Sequence, residues 1–131
     1  MTIPSQKRLR FDRAQSVQEA QDRYRVTVSF TFADRVIETS SEGAEQLRAA
    51  AEAALMAIEL AVEKRFTCKL TDLDHINALG KDLIAVLVDI DFEEKQVQVF
   101  GSCQLAGSEI DAAVKAALNA TNRFFELAMR A

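Results

Sequence analysis

His75 is the one histidine of the chain, and it lies in TDLDHINAL with Asp72 and Asp74 just before it. Any pairing of a base with a nucleophile must use it, so the three residues form a candidate metal or acid–base site. The competing reading is a half-exposed strand or turn, on which Asp72 and Asp74 share a solvated face by period two. Asp89, Asp91, Glu93 and Glu94 form a second acidic row. A calcium site would place such oxygens on a loop with a sharp glycine turn, whereas these run along a strand and into its turn. The solvated face is the better reading of both groups. Cys68 and Cys103 are far apart and have no CxxC companion. In a reducing compartment they read as small buried hydrophobes, with a disulfide between them left open. Asn119 and Asn122 have three possible roles: capping nearby backbone, meeting a partner across an interface, or touching a ligand. No GxGxxG, P-loop or GxSxG motif occurs. No catalytic residue, metal ligand or cofactor is expected.

The elements that would hold these residues belong to one domain. A chain of 131 residues is long enough to bury a core. Its 49% hydrophobic and 27% charged content is that of a globular protein, and four Gly and one Pro leave little room for linkers. A net charge of −4 argues against a sequence-independent grip on nucleic acid, which needs Lys and Arg against phosphates. The basic run KRLRFDR, Lys7 to Arg13, is the only positive cluster and reads as a solvated strand edge or tail. The N-terminus has no apolar signal-peptide core, and no run approaches the roughly 20 apolar residues of a membrane span. The expected location is cytoplasmic, with no membrane partner.

Hydrophobic periodicity places the elements. In YRVTVSFTF, Tyr24 to Phe32, Val26, Val28, Phe30 and Phe32 alternate with polar residues, the pattern of a half-buried strand. Ala33-Asp34 turns the chain, and RVIETS, Arg35 to Ser40, returns as a second strand. Ser40, Ser41 and Glu42 offer an N-cap for a helix reaching about Lys64. Leu47, Ala51, Ala54, Leu55, Ile58 and Val62 form its apolar stripe. The plan then recurs. FTCKLTDLDHI, Phe66 to Ile76, is a strand, and LIAVLVDIDF, Leu83 to Phe92, follows the Gly80 break. After the turn Glu93-Glu94-Lys95 comes QVQVFGSCQL, Gln96 to Leu105. Gly107-Ser108 opens a last helix with Ile110, Val114, Ala117, Leu118, Thr121 and Phe125 on one stripe. LRFDRAQSV, Leu9 to Val17, supplies the matching first strand of the first half.

The helices carry the repeat most openly. Ala49, Ala50, Ala53, Ala54, Leu55 and Ala57 fall on Ala112, Ala113, Ala116, Ala117, Leu118 and Ala120, 63 positions on. Alanine is the best helix former, so chance matches between two Ala-rich helices are common; the matching hairpins before each helix argue for duplication. The expected fold class is α+β: one domain, 1–131, of two strand-strand-strand-helix units (about 8–64 and 66–129). They are related by a pseudo-twofold and pack two helices on a joined antiparallel sheet.

The second half, with GKDLIAVLV and then FGSCQLAGSEIDAAVKAALNATNRFF, resembles the C-terminal regulatory (allosteric, dimerisation) domain of 2-isopropylmalate synthase and citramalate synthase. Gly80, Lys81, Asp82, Gly101, Asp111-Ala112, Asn119, Asn122 and Arg123 carry the resemblance. In outline it extends over nearly the whole chain, because that domain is also a duplicated unit. It implies a non-catalytic module that forms a homodimer. It also implies binding of a branched-chain amino acid or small carboxylate near turns and helix N-termini, where free N–H groups attract a carboxylate. The implied ligand-binding positions are Gly80, Asp82, Gly107 and Ser108 in the second half and Ser41 and Gly43 in the first. The chain departs from the family in two places. SVQEAQDRY, Ser16 to Tyr24, lacks the family's glycine turn, and Ser40-Ser41-Glu42-Gly43 replaces a Gly-Asp-Gly-Pro type lead-in to the first helix. Glu42 puts a negative charge where a ligand carboxylate would sit. These departures favour a rival reading, a pure protein-interaction or scaffold domain that has lost the pocket. The family's catalytic barrel and its metal ligands lie outside this sequence, and Met1 favours a stand-alone chain over a fragment.

Overall fold

A computed structural model describes residues 9–130. It contains β1 (Arg10–Ala20), β2 (Arg23–Phe32), β3 (Arg35–Gly43), α1 (Gln46–Ala61), β4 (Phe66–Ala78), β5 (Lys81–Phe92), β6 (Lys95–Gln104) and α2 (Glu109–Arg130). The class is α+β, and the order strand-strand-strand-helix occurs twice. Lys7 and Arg8 of the basic run lie outside the described residues; within it, Arg10 is an exposed strand residue bonded to Asp12.

Each unit forms its own antiparallel sheet, β1-β2-β3 and β4-β5-β6, and the two are not hydrogen-bonded into the joined sheet expected from sequence. The helices join them instead. α1 packs on β2 and β3 and also on β4, while α2 packs on β5 and β6 and reaches β1; the helices also touch each other. A helix shared between two sheets must be narrow on several sides, and alanine meets that need. Nine α1 residues are buried, seven of them alanines on several faces rather than on one stripe. Aromatic contacts tie the units further. Phe32 of β2 meets Phe125 of α2 edge-on at 5.5 Å across the units, while Phe66, Phe92 and Phe124 form a cluster within the second unit with centroids 6.0–6.5 Å apart. Such pairs add about 0.5–1.5 kcal/mol each beyond area burial.

Cross-strand register makes the units comparable residue by residue. The hairpin turns Ala33-Asp34 and Glu93-Glu94 both have positive φ at both residues, the geometry of a two-residue type I′ loop. From that anchor Val26, Val28, Phe30 and Phe32 correspond to Val86, Val88, Ile90 and Phe92, all facing the helices. The sheet also comes closest to a helix at one defined place. A Cβ added to Gly101 of β6 would overlap the Ala116 carbonyl oxygen and the Ala120 backbone nitrogen of α2. In the first unit the buried Thr39 hydroxyl fills the gap between β3 and α1 by donating to the Ala53 carbonyl at 2.6 Å.

Several strands run two or three residues further than the sequence reading, and α1 differs from it at both ends. α1 ends at Ala61 rather than near Lys64, because Glu63 and Lys64 take left-handed backbone conformations that stop the helix. At its start the N-cap residue is Glu45, without a side-chain cap bond, rather than one of Ser40, Ser41 and Glu42. Those three remain in β3. Glu42 opposes Arg25 in the ladder, and its carboxylate accepts from Arg23 and Arg25 at 2.5 and 3.1 Å. The hydrogen bonds from Arg23 and Arg25 hold the Glu42 carboxyl below its ordinary pKa.

Candidate functional site

The residues implied as ligand-binding fall at corresponding ends of the two units. In the second, Leu79 and Gly80 form the β4–β5 turn with φ of +53° and +74°. Asp82 follows in β5; its carboxylate accepts from Asn77 at 3.1 Å and lies 3.7 Å from His75 Nε2. The Asp82 carbonyl accepts from the Leu105 N–H at 2.8 Å, which brings this turn to the segment holding Gly107 and Ser108. Ser108 caps α2: its hydroxyl accepts from the Asp111 N–H at 3.2 Å, and its carbonyl accepts from Ala112. Gly80, Asp82, Gly107 and Ser108 are thus neighbours along one end of the second sheet, all exposed. In the first unit Ser41 and Gly43 are half-buried in β3 opposite Val26 and Tyr24. Gly43 also lines a hollow of about 360 Å³ at the start of α1, with Ala44, Glu45, Arg48 and Glu52. Two carboxylates face that hollow, and its one cation, Arg48, lies 3.7 Å from Glu52 and donates to the Leu70 carbonyl. A ligand carboxylate there would meet repulsion rather than a free cation.

The group around His75 separates by strand register. Asp72 and Asp74 pair with Leu87 and Ala85 on the outer face of the sheet, whereas His75 pairs with Ile84 on the inner side. Asp72 and Asp74 accept hydrogen bonds from the backbone N–H groups of Leu73 and His75. Among the described residues, no group of three His, Cys, Asp or Glu side chains is arranged to hold a metal ion. Cys68 and Cys103 are half-buried free thiols. The Cys68 thiol points at the Leu55 carbonyl, 3.7 Å away, and burial first, then the charge of Glu59, push its pKa up to about 12.

A larger concavity, about 760 Å³, runs along α2. Its apolar floor is Leu9, Ile58, Leu118, Phe125 and Met129. Its polar residues are Lys115, Asn119, Thr121, Asn122, Glu126 and Arg130. Spacing of three and four residues puts the α2 members in one band along the helix. Asn119 has a structural role, donating to the Ser102 carbonyl of β6 at 2.9 Å. Thr121 bonds back to the Ala117 carbonyl at 3.0 Å. Lys115 and Asn122 are exposed and, among the described residues, carry no hydrogen bond or ion pair.

The repeat supplies an internal control. At the helix offset of 63, Lys115, Asn119 and Asn122 correspond to Glu52, Met56 and Glu59 of α1. The first helix therefore carries acids where the second carries a cation and an amide. Glu59 accepts a hydrogen bond from the Cys68 backbone, and partial burial raises its pKa. The sequence flagged Asn119 and Asn122 but not the groove, which also needs Leu9 and Ile58 from distant elements.

None of the six positions expected to bind a ligand, Gly80, Asp82, Gly107, Ser108, Ser41 and Gly43, lines this groove. Among the described residues, no helix is long and apolar enough to cross a membrane. No family model matches the chain, and no curated protein matches it.

Proposed function

We propose that the chain is a non-catalytic regulatory-type module that pairs with a second copy of itself and binds a small carboxylate in the groove along α2. The observation that carries this reading is the groove itself: an apolar floor beside the unpartnered Lys115 and Asn122, on the one helix of the pair that has a cation there. Its volume of about 760 Å³ falls within the usual range for small-molecule sites, about 300–1,000 Å³. Lys115 would hold the carboxylate, Asn122 would donate a hydrogen bond, and Leu118, Phe125 and Met129 would take the apolar part. The spacing of charges favours an amphipathic carboxylate over a free α-amino acid. Lys115 and Glu126 are eleven residues apart, about 16 Å along the helix, whereas an amino acid bears both its charges on one carbon. The resemblance to regulatory domains supports the same class of ligand and the homodimer. The rival, an interaction domain without a pocket, draws support from Glu42, which Arg23 and Arg25 hold on the first sheet.

Thermal unfolding against a panel of branched-chain amino acids, 2-oxo acids and longer aliphatic carboxylates tests the reading. A ligand at 100 times its dissociation constant adds about 2.7 kcal/mol, which for a domain of this size raises the melting point by about 10 °C. The expected result is a shift with an amphipathic carboxylate that Lys115→Glu abolishes, since that change copies Glu52 of the first helix. No shift across the panel refutes the ligand site, and a monomer by light scattering refutes the pairing.

A further inference from the structure

The outer faces of the two sheets, built on the same frame, differ at their centres, although Val17 and Val36 are exposed apolar residues towards the edges of the first. With Val86, Val88 and Ile90 facing the helices, Ala85, Leu87, Asp89 and Asp91 of β5 lie on the opposite face, where Ala85 is buried and Leu87 half-buried. Phe100 of β6 pairs with Leu87, and on the other side Asp72 of β4 does the same. Phe100 is 62% exposed although it is a large aromatic residue. Leu83, paired with Ile76, extends the apolar strip, and Asp72, Asp74, Asp89 and Asp91 border it; two cations share this face, Lys69 opposite Asp89 and Lys81 at the start of β5, so the acids outnumber them.

The first sheet shows what the same positions hold when they face water alone. Thr27 and Ser40, the counterparts of Leu87 and Phe100, share a hydroxyl hydrogen bond of 2.7 Å. Arg25 and Glu42, the counterparts of Ala85 and Ser102, form an ion pair that Glu19 and Arg23 extend. Both units satisfy the frame, so neither the strand ladder nor the core requires Leu87 and Phe100 to be apolar. An apolar strip inside an acidic border is the complement of a chain that presents lysine or arginine around apolar side chains.

We propose that the outer face of β4, β5 and β6 is a docking surface for a basic, apolar segment of a partner protein, with Phe100 and Leu87 as its centre and Asp72, Asp74, Asp89 and Asp91 as its charged border. The surface is separate from the α2 groove, and each stands or falls without the other. Titrating the isotope-labelled full chain with a short peptide alternating lysine and leucine tests it by amide shifts, with affinity read by fluorescence anisotropy. The expected result is shifts confined to the outer positions of β4, β5 and β6. Phe100→Ser should weaken binding about tenfold or more. Asp72→Asn combined with Asp74→Asn should weaken it and flatten its salt dependence. Val36→Ser, an equally exposed apolar change on the first sheet, should leave it unaltered; Val36 is 67% exposed. The peptides alternating lysine with serine, or glutamate with leucine, should bind far less. Equal binding of the glutamate peptide, shifts centred on the α2 groove or the first sheet, or no binding at all would overturn the proposal. So would sedimentation showing a dimer that Phe100→Ser dissociates, since a second copy would then be the occupant.

Discussion

Gly101→Ala adds one methyl group, and its predicted effect comes from sterics alone. Gly101 is not in a left-handed backbone conformation, so alanine can adopt its φ without strain. The obstacle is α2, because the new Cβ would overlap the Ala116 carbonyl oxygen, the Ala120 nitrogen and the Ala120 Cβ. Two of these atoms are backbone and cannot rotate away. Relief requires β6 and α2 to separate, which loosens the packing of Val86, Val88 and Ala117 as well. Overpacking of a core costs about 1–3 kcal/mol, occasionally more, and with backbone on the receiving side the upper end applies, about 3 kcal/mol. For a domain of this length that is about 12 °C in melting temperature, and a large share of a total stability of about 5–15 kcal/mol. Urea unfolding followed by circular dichroism reads the change as a lower midpoint at unchanged slope. Gly43→Ala is the matched control. A Cβ at Gly43 meets nothing within 4 Å and its backbone is not left-handed, so alanine there should be neutral or stabilise by up to about 1 kcal/mol. A Gly101→Ala protein within about 0.5 kcal/mol of the parent would refute the close approach of β6 to α2.

Two more outcomes follow from local geometry and chemistry. Glu93→Asn with Glu94→Gly gives the β5–β6 turn the residues its two positive φ values favour, and should stabilise by about 1–2 kcal/mol in the same urea assay. Cys68, with a pKa of about 12, is about one part in ten thousand thiolate at pH 8, so a disulfide reagent should leave it unlabelled until denaturant is added. Its folded pKa lies above the ordinary 9.0, so the unfolded chain loses this proton first. Stability should therefore fall as pH rises from about 9 towards 12, and Cys68→Ala should flatten that part of the profile.

Period two and the alanine-rich helices were enough to place six strands and two helices in the right order, because each signal is local. The features that depend on competition between elements were not legible. Glu42 reads as a helix-capping position, yet Arg23 and Arg25 keep it in β3, and neither arginine is near it in sequence. A joined sheet was the natural way to bury two half-cores, yet α1, whose buried faces are mostly alanine, is narrow enough to pack on both sheets at once. His75, Asp72 and Asp74 look like a cluster in one dimension and lie on opposite faces once β4 pairs with β5. Gly80 and Asp82 lie at the β4–β5 turn, and Gly107 and Ser108 follow Leu105, whose N–H bonds the Asp82 carbonyl. The α2 groove draws Leu9 and Ile58 from two remote segments, so no stretch of sequence announces it.

The pattern of matches between the units separates what the fold requires from what it leaves free. On β2 and β5 the inward residues match closely, Val26 with Val86, Val28 with Val88 and Phe32 with Phe92, whereas the outward residues change class, Arg25 to Ala85, Thr27 to Leu87, Ser29 to Asp89 and Thr31 to Asp91. The helices behave likewise: the buried alanines match, and the outward Glu52, Met56 and Glu59 become Lys115, Asn119 and Asn122. Packing density explains the first set, since a change of one methylene in a shared interior strains both units. It places no demand on the second set, where polar residues already satisfy the first unit. The outward changes give the second unit an apolar face with an acidic border on its sheet and a cationic groove on its helix. Both surfaces therefore centre on the second unit, while on the outer sheet of the first Arg23, Arg25, Glu19 and Glu42 pair with one another.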